Sequence, residues 1–476
     1  MNRIYLKNIL ISFALTTVIF LGPGCAEKNV ETVDTTETQS SQISDDAAIY
    51  KSILEKRIQG RDGVGLAVTI IDKDQTDILT IGLADTAKDR KIDTETLFEI
   101  GSITKTFTGI LLADMVIEGE VKLEDPASKY LPPSVKLSEF DGKQITLKDL
   151  ATHSSALPRM PDNFSPANMR NPYIDYTPEL MYEFLSGYEL KRPIGETVEY
   201  SNLGMGLLGH ILELKTGKSY EQLVTERILD PLGMSDSVMT IPAHKQDDFA
   251  IGHDVTGKPA HHWDFLALAG AGAFRSDISD MSLFLQANMG LIDTPLADAI
   301  EMSHKFQLKA GEDGSYIGLA WFTNDMDGKT VTWHNGGTAG FRTFLGFDPQ
   351  NKRGVIVLAN AQDESDLIGR SVLTRKPDLL EPFEDNKSLK FPAEQLEKFV
   401  GDYQLAPEFI IAITQQDDQL FLQATGQQKF PIFAKSDMEF ALKVVKASVI
   451  FEANDTGEIV KLTLNQGGVL QPAPKL

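Results

Sequence analysis

The chain has 476 residues, 42% of them hydrophobic and 24% charged, and a formal net charge of −23 from 45 basic and 68 acidic side chains. Apolar material is ample for a large core, which excludes bulk disorder, and the length suggests about three domains. So acidic a surface repels phosphate backbones and argues against a nucleic-acid partner. The single cysteine, Cys25, excludes an intramolecular disulfide, a Cys-rich zinc site and an iron–sulfur cluster.

Arg3 and Lys7 precede an apolar run, Ile9 to Gly22, of 14 residues. The run is short of the ~20 residues that span a bilayer as a helix. A basic start, a short apolar stretch and small residues mark residues 1–24 as a secretory signal peptide. Cys25 at the cleavage point resembles the lipid-attachment cysteine of bacterial lipoproteins, although Pro23 stands where that pattern has Ala or Ser. The expectation is export to the periplasm and a membrane anchor through lipid on Cys25. The mature chain then holds no free thiol, which suits an oxidising compartment. Residues 25–46, rich in Thr, Ser, Gln and acids, read as a disordered tether.

Ordered structure is expected from Ala47. Ile49, Ile53 and Ile58 set a helix over Ala48–Gln59, and two strands follow at Val64–Ile71 and Ile78–Leu83. Ile103, Phe107, Ile110 and Leu111 recur at helical spacing and predict a helix over Ser102–Val116. A second apolar helix, Met205–Leu214, ends towards Gly217, a C-cap glycine. Strands are expected at Thr330–Trp333, Thr343–Phe347 and Gly354–Leu358. Helices in mid-chain between strands imply one mixed domain, residues 47–380, whose sheet is closed by distant segments. Pro377, Pro382 and Pro392 then break the pattern. From 393 to 476 short strand-like runs alternate with turns, an all-β module built as a small barrel or sandwich.

Three short motifs carry the chemistry. Ser102-Ile-Thr-Lys105 is the only S-x-x-K in the chain. A serine at a helix start gains from unpaired N–H groups and the positive dipole end. Lys105, three residues on, lies on the same face and can lose its proton when buried, as activation of a hydroxyl requires. Tyr200-Ser201-Asn202 adds a phenol, which an ammonium can drive toward phenolate as a general base, and an amide that both donates and accepts. His334-Asn335-Gly336-Gly337 lies between two expected strands; its glycines permit close backbone approach, and the Gly337 N–H with the Ser102 N–H can form an oxyanion hole. Taken singly, each motif is equally a cap, a turn or a hairpin.

Together, in this order, they resemble the serine β-lactamase and penicillin-binding-protein family in its class C-like branch. Residues 150–158 (LATHSSALP), 231–234 (PLGM) and 270–275 (GAGAFR) fit as well, so the resemblance spans about Ile49–Leu380. It implies an α+β fold, an αβα sandwich with an antiparallel sheet plus a helical region, and a site between them. It implies Ser102 as acylated nucleophile, Lys105 and Tyr200 as proton shuttles, and Asn202 and His334 as substrate contacts. No cofactor or metal is implied, and the substrate is a small molecule or peptide. The tail resembles the small lipocalin-like barrels that follow some members.

Two departures bear on this. His334 stands where true β-lactamases often have lysine, and a histidine is mostly neutral at pH 7 and holds a substrate carboxylate poorly. That favours esters or D-amino-acid peptides over efficient β-lactam hydrolysis. Ala156 replaces an expected glycine, a change local to the backbone. Lys215-Thr216-Gly217 spells the β-lactamase third motif but reads as a helix end, and His253, His261 and His262 read as loop residues rather than metal ligands. Trp263, Trp321 and Trp333 are expected in core or cleft walls. The expected activity is a serine hydrolase acting through an acyl-enzyme on amides or esters; the rival is a protein that captures penicillin or a peptidoglycan fragment without hydrolysis.

Overall fold

The computed structural model describes residues 43–476 apart from 60, 62, 312–313, 363–364, 381–388, 390, 407–408, 426–428, 443–446, 455 and 467–468. The signal peptide, the lipid attachment at Cys25 and most of the expected tether lie outside the described residues. Helical structure begins at Asp45, ahead of the start of order expected at Ala47. A helix runs Asp45–Ile58 because the Ser44 hydroxyl caps it, accepting from the Ala47 N–H, and two aspartates sit in its first turn. Asp46 is also fixed by the Arg353 guanidinium at 2.6 Å.

A nine-stranded antiparallel sheet forms the frame. Gly65–Asp72 pairs with Gln75–Asp85 on one side and with Arg353–Ala359 on the other, so both ends of the domain sequence meet in its middle. Beyond them run Arg342–Asp348, Lys329–Gly337 and Phe322–Met326, with short edge strands outside. Side chains alternate between faces. Ala67, Ile71, Ile356 and Leu358 enter the larger core, while Leu66, Val68, Ile70, Val355 and Val357 enter a smaller one. The smaller core is covered by Asp45–Ile58 and Ser365–Thr374. The larger joins the sheet to helices Thr104–Ile117, Asn202–Thr216 and Ile278–Asn288. This is the α+β sandwich with its added helical region.

The C-terminal part has its own core around Phe399, Tyr403, Phe440 and Phe451. Eight antiparallel strands follow in chain order, and the first and last approach through a Tyr403–Lys475 bridge, giving a nearly closed barrel. Its first strand, Gly401–Ala406, and its last, Val469–Pro474, add to the six runs expected from sequence. Among the described residues no helix is long and apolar enough to cross a membrane.

Candidate active site

Ser102 lies in a 3₁₀ turn, Gly101–Ile103, that runs directly into the helix Thr104–Ile117. The turn is held against the sheet: the Thr343 hydroxyl donates to Ile100 O at 2.8 Å, and the Ile100 N–H donates to Phe274 O at 3.1 Å. Two glycines make the approach possible. Gly101 has φ +54°, and a side chain on it would stand 2.7 Å from the Gly337 nitrogen. A side chain on Gly336 would run into Ile100 O and the Thr343 hydroxyl.

Lys105 is fully buried, and its Nζ donates to Ser102 Oγ at 2.9 Å and to Ala271 O at 2.6 Å. Among the described residues it has no acidic partner. Burial, reinforced by the positive charge of Arg159, holds its ammonium well below the usual lysine range. Tyr200 closes the group from the third segment, with Lys105 Nζ 4.8 Å from its ring centre. Burial pushes its phenol up to about 12, against the pull of a hydrogen bond with Ser102 and the charge of Arg159. Burial thus disfavours the charged form of both partners, the ammonium of Lys105 and the phenolate of Tyr200.

Ser102, Gly337 and Asn202 line one small cleft with Ala271, Gly272, Thr338 and the aromatic wall Tyr173, Trp263 and Phe265. His334 occupies an inward position of an alternating strand and is 1% exposed. Its Nδ1 donates to Asn335 O at 2.6 Å, its Nε2 has no partner, and burial lowers its pKa to about 3. Its ring centre lies 6.2 Å from that of Tyr200.

The sequence reading assigned no role to His153 and Arg159. His153, buried in the 150–158 stretch, accepts from the Ser201 N–H at 3.2 Å and packs on Tyr200 at 4.5 Å. The Arg159 guanidinium lies 4.9 Å from the centre of the same ring. Ala156 has φ +63° and is buried, so an alanine occupies a glycine-type conformation at a cost of about 1–2 kcal/mol. Behind the aromatic wall, Glu99 accepts from the Trp263 N–H at 2.6 Å, and burial raises its carboxyl to about 7.

The remaining motifs fall elsewhere. Lys215-Thr216-Gly217 ends the helix Asn202–Thr216, with Gly217 as a left-handed cap at φ +74°. His253 bonds to Asn360 O at 3.2 Å, His261 faces Arg170, and His262 is 4.0 Å from Asp264. Trp321 is core, Trp333 packs on the smaller core, and Trp263 lines the cleft.

Residues 51–375 match the family described as Beta-lactamase, and residues 386–476 match a domain of unknown function. The chain is 29% identical over 354 residues to the D-alanyl-D-alanine-carboxypeptidase/endopeptidase AmpH of Escherichia coli K12, covering 70% of this chain and 88% of that protein. It is 28% identical over 332 residues to a beta-lactamase of the same strain, covering 62% and 84%. A class C beta-lactamase structure superposes with a TM-score of 0.62 at 23% identity, covering 69% of this chain and 96% of the other, which speaks to fold alone. The match runs through all three motif segments and over more than half of the sequence: the chain belongs to the beta-lactamase family, serine hydrolases of the β-lactamase and penicillin-binding-protein type.

Proposed function

We propose that the cleft carries out acyl transfer through Ser102 on small amide or ester substrates. The supporting observation is the contact of 2.9 Å between Ser102 Oγ and a buried amine without an acidic partner. Lys105 takes the hydroxyl proton as Oγ bonds to the substrate carbonyl carbon. The carbonyl oxygen becomes an oxyanion, directed at the N–H groups of Ser102 and Gly337. As the tetrahedral adduct collapses, the leaving nitrogen or oxygen receives a proton from the Tyr200 hydroxyl, which Lys105 reprotonates. The product is an acyl-enzyme on Ser102 and a neutral amine at Lys105. Water then repeats the sequence in the second half-reaction, with the same bases releasing the acid. Asn202 orients the acyl group.

Within this class, the uncharged and buried His334 offers a substrate carboxylate no cation of its own at the third motif, which supports esters over efficient β-lactam hydrolysis unless another residue holds that carboxylate. The named activity of AmpH, a carboxypeptidase and endopeptidase, agrees with the peptide branch. We also infer export and anchoring through lipid on Cys25, which metabolic labelling with a palmitate analogue and a Cys25→Ser control would test. Ser102→Ala should abolish turnover of p-nitrophenyl esters and leave thermal unfolding nearly unchanged. A fluorophosphonate should add its mass to Ser102 in the wild type. Retained turnover in the variant, or an inert Ser102, would defeat the proposal and favour capture without hydrolysis.

A further inference from the structure

We infer that Arg159 is the anion-recognising residue of this cleft, selecting substrates that carry a carboxylate; the inference rests on the acyl-transfer reading above. Its backbone is fixed to the Tyr200–Asn202 turn, because Arg159 O accepts from the Asn202 N–H at 3.0 Å and the Leu203 N–H at 3.3 Å. Its guanidinium lies 4.9 Å from the centre of the Tyr200 ring, and the residue is exposed. Its positive charge acts on Lys105, Tyr200 and His153, and on Tyr173, which lines the cleft. The guanidinium thus stands over the ring of the phenol that faces Lys105 and Ser102.

Among the described residues Arg159 forms no ion pair, in a chain with 68 acidic side chains. The other basic groups of the region are bonded or buried. Arg275 is buried against Asp264 at 2.8 Å and Trp263 O at 2.6 Å. Arg342 donates to Thr338 O at 3.2 Å and Phe341 O at 3.3 Å, and faces Asp366. Arg170 stands against the His261 ring at 3.3 Å. Burial disfavours a charge on Lys105, and His334 is buried with its pKa lowered to about 3. A guanidinium laid on an aromatic face keeps its edge N–H groups free, and that edge matches a carboxylate with two parallel hydrogen bonds. The chemistry recognised is thus a carboxylate on the substrate, near but separate from the carbonyl that Ser102 attacks.

The test compares two esters of similar length, p-nitrophenyl butyrate and the mono-p-nitrophenyl ester of glutaric acid. The readout is the ratio of kcat/KM, acid ester over neutral ester. Arg159→Gln should lower that ratio at least tenfold, chiefly through KM of the acid ester. Arg159→Lys should recover part of it, because charge is kept while the planar fork is lost. Higher ionic strength should lower the wild-type ratio and leave that of Arg159→Gln flat. A ratio unchanged in Arg159→Gln, including an equal fall on both esters, overturns the assignment while the acyl-transfer reading stands. A wild type that hydrolyses neither ester and leaves Ser102 unlabelled by fluorophosphonate overturns both.

Discussion

Lys105→Met removes the buried amine at nearly constant volume, and its effects on activity and stability have opposite pH signatures. Loss of a positioned base should lower kcat/KM on an activated ester by about 10²–10⁴-fold. Stability follows from linkage. The native ammonium is held well below 10.5, so between that lowered value and about 10.4 the unfolded chain binds one more proton than the folded one. Wild-type stability therefore rises with pH across that window, by about 1.4 kcal/mol per unit. The methionine variant lacks this contribution. It loses the hydrogen bonds to Ser102 and Ala271 and gains an apolar side chain, but both are offsets independent of pH. Within that window the stability difference should move toward the wild type as pH rises. Paired thermal unfolding at pH 7, 8 and 9 reads this as a drift in the Tm difference, with every other titrating group cancelling. A flat difference would mean that the native site keeps an ammonium, and the assignment of Lys105 as free base would fall.

Tyr200→Phe keeps the ring contacts with His153 and Lys105 and deletes the hydroxyl; kcat should fall by about 10²-fold or more, and an undiminished kcat would show the phenol to be idle. Gly336→Ala places a methyl against Ile100 O and Thr343, so it should cost about 1–3 kcal/mol in unfolding experiments and reduce turnover beyond what the fraction unfolded explains. Arg353→Ala strips a 1% exposed guanidinium from Asp46, Asp72 and Val372 O. The two aspartates are about one-third exposed and can rehydrate, so chemical denaturation should show a loss of about 2–3 kcal/mol, under the 3–5 kcal/mol of a fully buried pair.

Much of the frame was legible because it is periodic. Ile103, Phe107, Ile110 and Leu111 mark one helix face, and the six strand runs of the barrel alternate between clear turns. What escaped lacks a local signal. Val469–Pro474 contains two prolines and is completed as a strand only by its neighbour Ile459–Gln466. Leu308–Lys309 and Tyr316–Ile317 are two-residue strands with no period to detect. The helix start at Asp45 depends partly on Arg353, far along the chain. For the site, the residue types and their order were readable and their burial was not. His334 has the same sequence neighbours whether it faces a cleft or a core, and only the strand register places it inside. Arg159 belongs to no motif, and its relation to Tyr200 exists only after folding. The downward pull on the Lys105 pKa likewise depends on burial by distant segments and on Arg159, which no local pattern reveals.

That absence carries the energetic logic of the proposed reaction. An ammonium at Lys105 in the resting site would be buried beside Arg159 without a counterion, a state that costs several kcal/mol and is avoided by releasing the proton. A carboxylate partner would remove the cost and also the basicity, leaving a stable ion pair unable to accept the Ser102 proton. When Oγ attacks, the amine gains its proton in the same step that an oxyanion forms on the adduct, a few ångströms away. The cation acquires its counterion only at the transition state, where attraction in a water-poor site is strong. The same cavity thus disfavours the ammonium before attack and stabilises it during attack, which is the difference between ground and transition state that lowers a barrier. An acid introduced at Ala271, beside the lysine, should raise the Lys105 pKa and shift the acid limb of the kcat/KM profile to higher pH. An Ala271→Asp enzyme that folds, labels at Ser102 and shows an unmoved acid limb would contradict this account.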